Sequence, residues 1–256
     1  MNKTLRFMAV PTVALGALAL SGSPAMAADQ SYQATLGQLN GSSGSGTIEV
    51  HVTGNEAHVL LKVSGMPETF MDMPYPHVQH IHGGAQGTCP DPSADQDGDG
   101  VVSTTEGAPS YGGVLTTLST SGDTSPAAAA DINLAGKGAA YSIDRTFELN
   151  AETKAALEAG TAVVVVHGLD PATLSPAAAA APSDIAPQLP LAATSPALCG
   201  ALTAAQVEMP TGGADTGVAQ EPGTGTGTLA LGGGLVLIAL AGGAYVVRRR
   251  TAGAAG

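Results

Sequence analysis

The sequence predicts an all-β domain, an antiparallel sandwich or barrel with long loops, on an exported chain that ends in one transmembrane helix. Segments of alternating apolar and polar residues, separated by long Gly-, Pro- and Ser-rich connections, predict the β fold. Apolar segments near both ends of the 256-residue chain predict export and anchoring. The composition, with 44% hydrophobic and 12% charged residues, excludes an acidic disordered protein and is too rich in Gly and Ala for an ordinary cytosolic enzyme.

Residues 1–27 are predicted to form a signal peptide. Lys3 and Arg6 provide its positive start, and residues 8–20 are apolar. An Ala-Met-Ala sequence at residues 25–27 places small residues at positions −3 and −1 of a cleavage site. The apolar segment is short and contains Pro11, which disfavours the alternative of a membrane anchor. We therefore expect the remainder of the chain to be exported.

The C-terminal region predicts a membrane anchor. Residues 229–247 carry no charge and would form a helix of about 28 Å, enough to cross the hydrocarbon core of a bilayer. Three arginines follow at once and should keep the stub 248–256 in the cytoplasm. Residues 204–228 are predicted to be a flexible stalk. Its Met-Pro-Thr-Gly sequence at 209–212 is similar to a sortase signal, so cell-wall attachment stays open as an alternative to a retained membrane anchor.

The exported domain is assigned to residues 28–203, a length that suits one hydrophobic core. Only Lys62, Lys137, Arg145 and Lys154 lie between the signal peptide and the anchor, whereas all 21 acidic residues do, a net charge of −17. Such a surface argues against nucleic acid and anionic lipids as partners and favours soluble exposure or cation binding.

Strands are predicted from periodicity along the domain. Residues 47–52 and 57–63 alternate, with His51 and His58 on outward faces and a Gly54-Asn55 hairpin turn between them. The later strand candidates are residues 77–82, 113–118, 140–149 and 161–167. A short helix is predicted over 151–159, with Asn150 as N-cap and Gly160 as terminator. The Ala- and Pro-rich residues 176–196 are expected to form a long surface loop.

The chain contains two cysteines, Cys89 and Cys199. An exported chain with an even number of cysteines favours a disulfide over two free buried thiols. The bond would close a loop of about 110 residues, which the chain-entropy model values at about 4–5 kcal/mol.

Residues 95–106 match the calcium-loop pattern D-x-[DN]-x-[DN]-G-x5-E at every fixed position. The candidate ligands are the carboxylates of Asp95, Asp97 and Asp99, the carbonyl of Val101, Ser103 directly or through water, and bidentate Glu106. The alternative is a solvated acidic turn. The Pro-containing flanks, residues 89–92 and 107–109, are predicted not to form the paired helices of an EF-hand. A structural calcium ion is therefore expected rather than a helix-opening sensor.

Three histidines suggest a second metal site. His80 and His82 lie two apart on one strand, so both rings point to the same face. His167 ends another predicted strand, and two imidazoles on one strand with a third from another suit copper. His77 has the opposite parity unless the chain bends at Pro76. The His-x-His pattern alone is more often structural than metal-binding.

The order of these features resembles the Cu/Zn superoxide dismutase-like sandwich and, within it, the CHRD-type domains of exported bacterial proteins. The resemblance covers most of residues 31–203. It runs through residues 59–67, then Gln-His-Ile-His-Gly-Gly at 79–84 and Cys89, and continues at residues 163–168 and 197–200. It implies a Greek-key fold, copper ligation by His80, His82 and His167, and a Cys89–Cys199 disulfide.

The same resemblance defines what this chain lacks. Residues 84–165 contain no histidine, so the bridging histidine and the zinc ligands have no counterparts and no zinc site is expected. The catalytic arginine that the family carries before its second cysteine is also absent, since residues 193–198 read Ala-Thr-Ser-Pro-Ala-Leu. Two hypotheses follow. The chain is a calcium-stabilised, non-catalytic module displayed on a membrane for binding or structure, or a copper-binding protein with redox or copper-holding function.

Overall fold

The computed structural model describes residues 29–205. The predicted signal peptide, the transmembrane helix 229–247, the stub and all but two residues of the stalk lie outside the described residues. Within residues 29–205, none of the helices has both the length and the apolar character needed to cross a membrane.

The described region is mostly β, as predicted. Its strands are β1 (Gln30–Gln38), β2 (Ser45–Thr53), β3 (Glu56–Ser64), β4 (Thr69–Phe70), β5 (Met73–Pro74), β6 (Pro76–His77), β7 (Gln79–Gly83), β8 (Gly113–Thr117), β9 (Gly136–Lys137), β10 (Ala140–Glu148), β11 (Val163–His167), β12 (Pro196–Ala201) and β13 (Thr203–Ala204). Its α-helices are α1 (Thr104–Tyr111), α2 (Ala151–Glu158), α3 (Pro176–Ala180) and α4 (Leu191–Thr194). Single turns of 3-10 helix occur at Pro92–Ala94, Pro126–Ala128 and Pro171–Thr173.

Nine strands form one curled antiparallel sheet in the order β10-β3-β2-β1-β12-β11-β7-β8, with β13 added to β1. Strand β1 joins the two halves of the sheet. It pairs with β2 along most of its length, and its last residues, Gly37 and Gln38, pair with Cys199 and Leu198 of β12. The halves enclose one core, which contains Val50 and Leu61 from the first half and Val164 from the second.

The first half follows the sequence pattern closely. Strands β2 and β3 alternate between buried and exposed residues, and both His51 and His58 lie on the exposed face. Gly54 has a φ of 64° in the two-residue loop between them, a conformation that glycine adopts without steric cost. The hairpin prediction is confirmed. Helix α2 is also confirmed, since the Asn150 side chain accepts a hydrogen bond from Thr153 N at 2.7 Å.

The predictions that residues 107–109 are not helical and that residues 176–196 form a surface loop are wrong, whereas the flank before the calcium loop contains only a 3-10 turn, as expected. Residues 104–111 form helix α1 although Pro109 lies inside it, because a capping box secures its first turn. In this box the Ser103 hydroxyl accepts from Glu106 N, and the Glu106 carboxylate accepts from Ser103 N. Residues 176–196 are not simply a surface loop. They include α3 and α4, and Leu191, Ala192 and Thr194 are buried against the sheet.

Candidate metal centre

The three histidines lie on the face of β7 and β11 that points away from the main core. His80 pairs with Val165 and His82 with Val163, and residues paired across strands share a face. Val163 and Val165 form a separate apolar cluster with Tyr111 and Cys199, whereas the intervening Ile81 packs into the main core. Successive side chains of β7 and β11 therefore alternate between two faces of the sheet, one packed into the main core and the other carrying the histidines.

Three connections contact the histidine rings: one after β8 provides Ala129, and the other two each contain an α-helix. One of these two contains α1, whose Tyr111 ring meets the His82 ring edge-on at a centroid distance of 4.7 Å. The other contains α4, whose last residue, Thr194, bonds His167. The three rings are almost closed to solvent, with exposures of 4% for His80, 2% for His82 and 3% for His167. Their shielding results from these long connections rather than from the sheet.

Each of the three rings donates one hydrogen bond to a backbone carbonyl. His80 Nε2 bonds Ala129 O at 2.9 Å, His82 Nδ1 bonds Gly112 O at 2.9 Å and His167 Nδ1 bonds Thr194 O at 2.6 Å. A carbonyl can only accept, so the bonded nitrogen carries the proton in each neutral ring. The other nitrogen of each ring is therefore left with a free lone pair.

The nitrogens with free lone pairs have no hydrogen-bond partner. His80 Nδ1, His82 Nε2 and His167 Nε2 are buried and unpaired. One ring nitrogen from each histidine lies within 4.8 Å of the other two, close enough for a single ion to contact all three. A buried polar atom without a partner destabilises a fold, so three of them in one cluster need an explanation. Three neutral imidazoles held by outer hydrogen bonds could hold a metal ion.

The electrostatics of the cluster keep the rings neutral. Burial lowers the pKa of His167 to about 4, and burial together with repulsion from His167 lowers that of His82 to about 4. Burial and the two neighbouring rings place the pKa of His80 well below its ordinary value. Protons therefore do not compete for the free lone pairs at neutral pH.

His77 stands outside this cluster. Its ring is buried, and its two nitrogens lie 3.0 Å from His167 O and 3.0 Å from Pro67 O. It also packs against Tyr75 at a centroid distance of 4.7 Å. The sequence predicted that the His77 side chain points to the opposite face from His80 and His82. In the structure its ring contacts backbone carbonyls instead of the cluster, so its role is structural.

In the acidic loop, Asp95, Asp97 and Asp99 each contribute a carboxylate oxygen within 4.8 Å of the other two. Glu106 closes the loop, because its carboxylate accepts from Gln96 N at 2.8 Å as well as from Ser103 N at 2.9 Å. Gly100 has a φ of 94°, the turn predicted for it. The structure thus groups the three aspartates, whereas Glu106 is bonded to backbone at both ends of the loop and is not part of that group.

Asn40 anchors this loop to the domain. Its side chain accepts from Val102 N at 2.8 Å and donates to Val102 O at 2.9 Å, and Val102 is buried. Burial, followed by repulsion from the neighbouring carboxylates, raises the pKa of Asp99. No basic side chain forms an ion pair with these carboxylates within the part of the chain that the structure describes.

The two cysteines are bonded to each other in the structure, with a Cα–Cα distance of 5.8 Å. Cys199 lies on β12, on the histidine face of the sheet, and Cys89 belongs to the connection that leads to α1. The bond therefore fastens the cover of the histidine cluster to the sheet beneath it.

Arg145 bonds the loop after β8 from the other edge of the sheet. Its guanidinium donates to Ser119 O at 2.8 Å and to Gly122 O at 3.1 Å. Tyr141, also on β10, donates to Gln79 Oε1 of β7 at 3.1 Å. These bonds tie the two edge regions of the curled sheet together, which gives Arg145 a structural role.

Comparison of the chain with protein-family models, curated proteins and solved structures found no match. The histidine cluster and the acidic loop are therefore interpreted from their own geometry.

Proposed function

We propose that the chain is an exported metal-binding protein with a superoxide dismutase-like Greek-key sandwich, in which His80, His82 and His167 hold one copper ion. The observation that carries the proposal is the set of three unpaired ring nitrogens in one buried cluster. Imidazole suits copper, and copper has the highest affinity among divalent first-row metals for such sites. Bound copper would supply one-electron redox chemistry.

This chain's residues are suited to holding the ion rather than to rapid turnover. Three backbone carbonyls fix the rings in the tautomer that leaves the inner nitrogens free. The rings are 2–4% exposed, so a substrate would have to displace the cover to reach them. We therefore propose copper holding or electron transfer, with little dismutase activity, in a protein displayed outside the membrane through residues 229–247.

Metal content and spectroscopy test this proposal. Purified protein titrated with Cu²⁺ should bind one ion per chain at neutral pH, and its electron paramagnetic resonance spectrum should show nitrogen ligands. His167→Ala should abolish this binding, whereas His58→Ala, which changes an exposed ring on β3, should not. Absence of copper binding by the wild-type protein would refute the site, and rapid superoxide turnover would refute the non-catalytic assignment.

A second metal, calcium, is proposed for residues 95–106. The specific observation in its favour is the complete ligand pattern on a loop that brings Asp95, Asp97 and Asp99 together without a basic partner among the described residues. Its role would be structural, because Pro92–Ala94 before the loop is a single 3-10 turn rather than an α-helix. The described residues before the loop therefore do not provide the first of the paired helices of a calcium sensor.

A further inference from the structure

Helix α1 contacts the supports of two of the three histidines, one at each of its ends. At its first residue, the Thr104 hydroxyl donates to Thr194 O at 2.6 Å. The same carbonyl accepts from His167 Nδ1 at 2.6 Å. Immediately after the helix, Gly112 O accepts from His82 Nδ1 at 2.9 Å. One short helix is thus placed between the hydrogen bonds that orient rings from two different strands.

The helix is itself fixed at both ends. The Asp184 carboxylate accepts from Thr105 N at 2.7 Å, which secures the first turn together with the Ser103 cap. Tyr111 OH donates to Thr104 O at 2.9 Å and so links the last residue of the helix to the first. At Gly112, φ is 87°, and a Cβ would lie 1.9 Å from Gly83 O. Gly112 is therefore packed directly against the backbone of β7, with no room for a side chain.

We propose that α1 sets the orientation of the His82 and His167 rings for metal binding, and that Thr104 is the positioning residue for His167. This inference rests on the proposed copper function. A carbonyl oxygen has two lone pairs, and Thr194 O shares them between the Thr104 hydroxyl and the His167 ring. The hydroxyl holds this carbonyl at the place where it fixes the ring of His167. Loss of such an outer partner typically lowers metal affinity about 10- to 100-fold.

The test replaces the hydroxyl while keeping the size and shape of the side chain. Copper affinity is measured on the full protein by competition with a chelator, with Thr104→Val as the test variant and Thr104→Ser as the rescue. Thr203→Val is the matched control, because it removes a threonine hydroxyl that donates to Gln33 O at 3.3 Å in the other half of the sheet. Thr104→Ala provides a second hydroxyl-free variant should valine prevent folding.

Thr104→Val or Thr104→Ala should weaken copper binding about tenfold and change the paramagnetic spectrum of the bound ion. Thr104→Ser and Thr203→Val should keep wild-type affinity and spectrum. The unfolding midpoint of each metal-free variant shows whether the protein is folded under the binding conditions. Wild-type affinity in folded Thr104→Val would overturn the positioning role while leaving the copper site intact. Loss of binding in every protein, wild type included, would instead refute the copper site and this inference with it.

Discussion

Lowering the pH from 7 to 5 should destabilise the metal-free protein through its buried histidines. His82 and His167 each have a pKa of about 4 in the folded chain, against an ordinary value of 6.5. Between these two values the unfolded state binds more protons, so the free energy of unfolding falls as the pH drops below 6.5. Each proton taken up on unfolding changes this free energy by about 1.36 kcal/mol per pH unit, so each ring should lower it by about 2 kcal/mol between pH 7 and pH 5.

The two rings together should therefore lower the free energy of unfolding by about 4 kcal/mol, and His80 contributes in the same direction. The carboxylates with a lowered pKa do not contribute in this pH range. The folded-state pKa of Asp91, Asp123 and Asp184 lies below 3.8. Their stabilisation is present above that pH and is lost only as the pH falls further.

Urea unfolding at pH 7, 6 and 5 in the presence of a chelator measures this effect. His167→Gln should reduce the pH dependence by about one proton, because one buried imidazole is removed. His51→Gln, which replaces an imidazole on the exposed face of β2, is the matched control outside the cluster. An equal free energy of unfolding at pH 7 and pH 5 would show that the histidines are not held neutral in a buried cluster.

Three further perturbations test the calcium loop, the disulfide and the turn after α1. Calcium at ten times its dissociation constant should raise the free energy of unfolding by about 1.4 kcal/mol. The double variant Asp95→Ala with Glu106→Ala should lose this gain. If the wild-type protein melts at the same temperature with calcium and with chelator, the loop is only an acidic turn. Alkylation without reductant, read by mass spectrometry, should modify neither Cys89 nor Cys199, and two labelled thiols would contradict the bond. Gly112→Ala should lower copper affinity and stability together, because its Cβ would collide with β7; wild-type values in a chelator competition and a thermal melt would contradict that strain.

Local patterns were sufficient to predict much of the sheet. The alternation in β2 and β3 predicted both the strands and their hairpin, because one face of each is buried and the other is exposed. Strand β1 was missed although Tyr32, Ala34 and Leu36 alternate with polar residues. This alternation is sufficient to predict β1. Strand β12 has a weaker sequence signal, because it is buried on both faces and its residues form a short apolar run without alternation.

The candidate site was likewise predictable from the sequence only in part. Parity placed His80 and His82 on one face, and the disulfide was expected from export and cysteine number. The carbonyls of Ala129, Gly112 and Thr194 could not be predicted, because a backbone acceptor leaves no trace in residue type. Helix α1 was missed for a different reason. Pro109 disfavours a helix locally, whereas the capping box and the packing of Tyr111 favour it through contacts that depend on the fold.

The distribution of charge also bears on the proposed chemistry. A protein that turns over an anionic substrate needs positive guidance toward its metal. The arginine among residues 29–205 bonds the carbonyls of Ser119 and Gly122, and Lys154 bonds the carbonyl of Gly54 at 2.8 Å. These cations support loops and turns, while the surface around them is strongly acidic. Such a field repels anions and concentrates cations, so the surface and the buried imidazoles favour the same ligand, a metal ion.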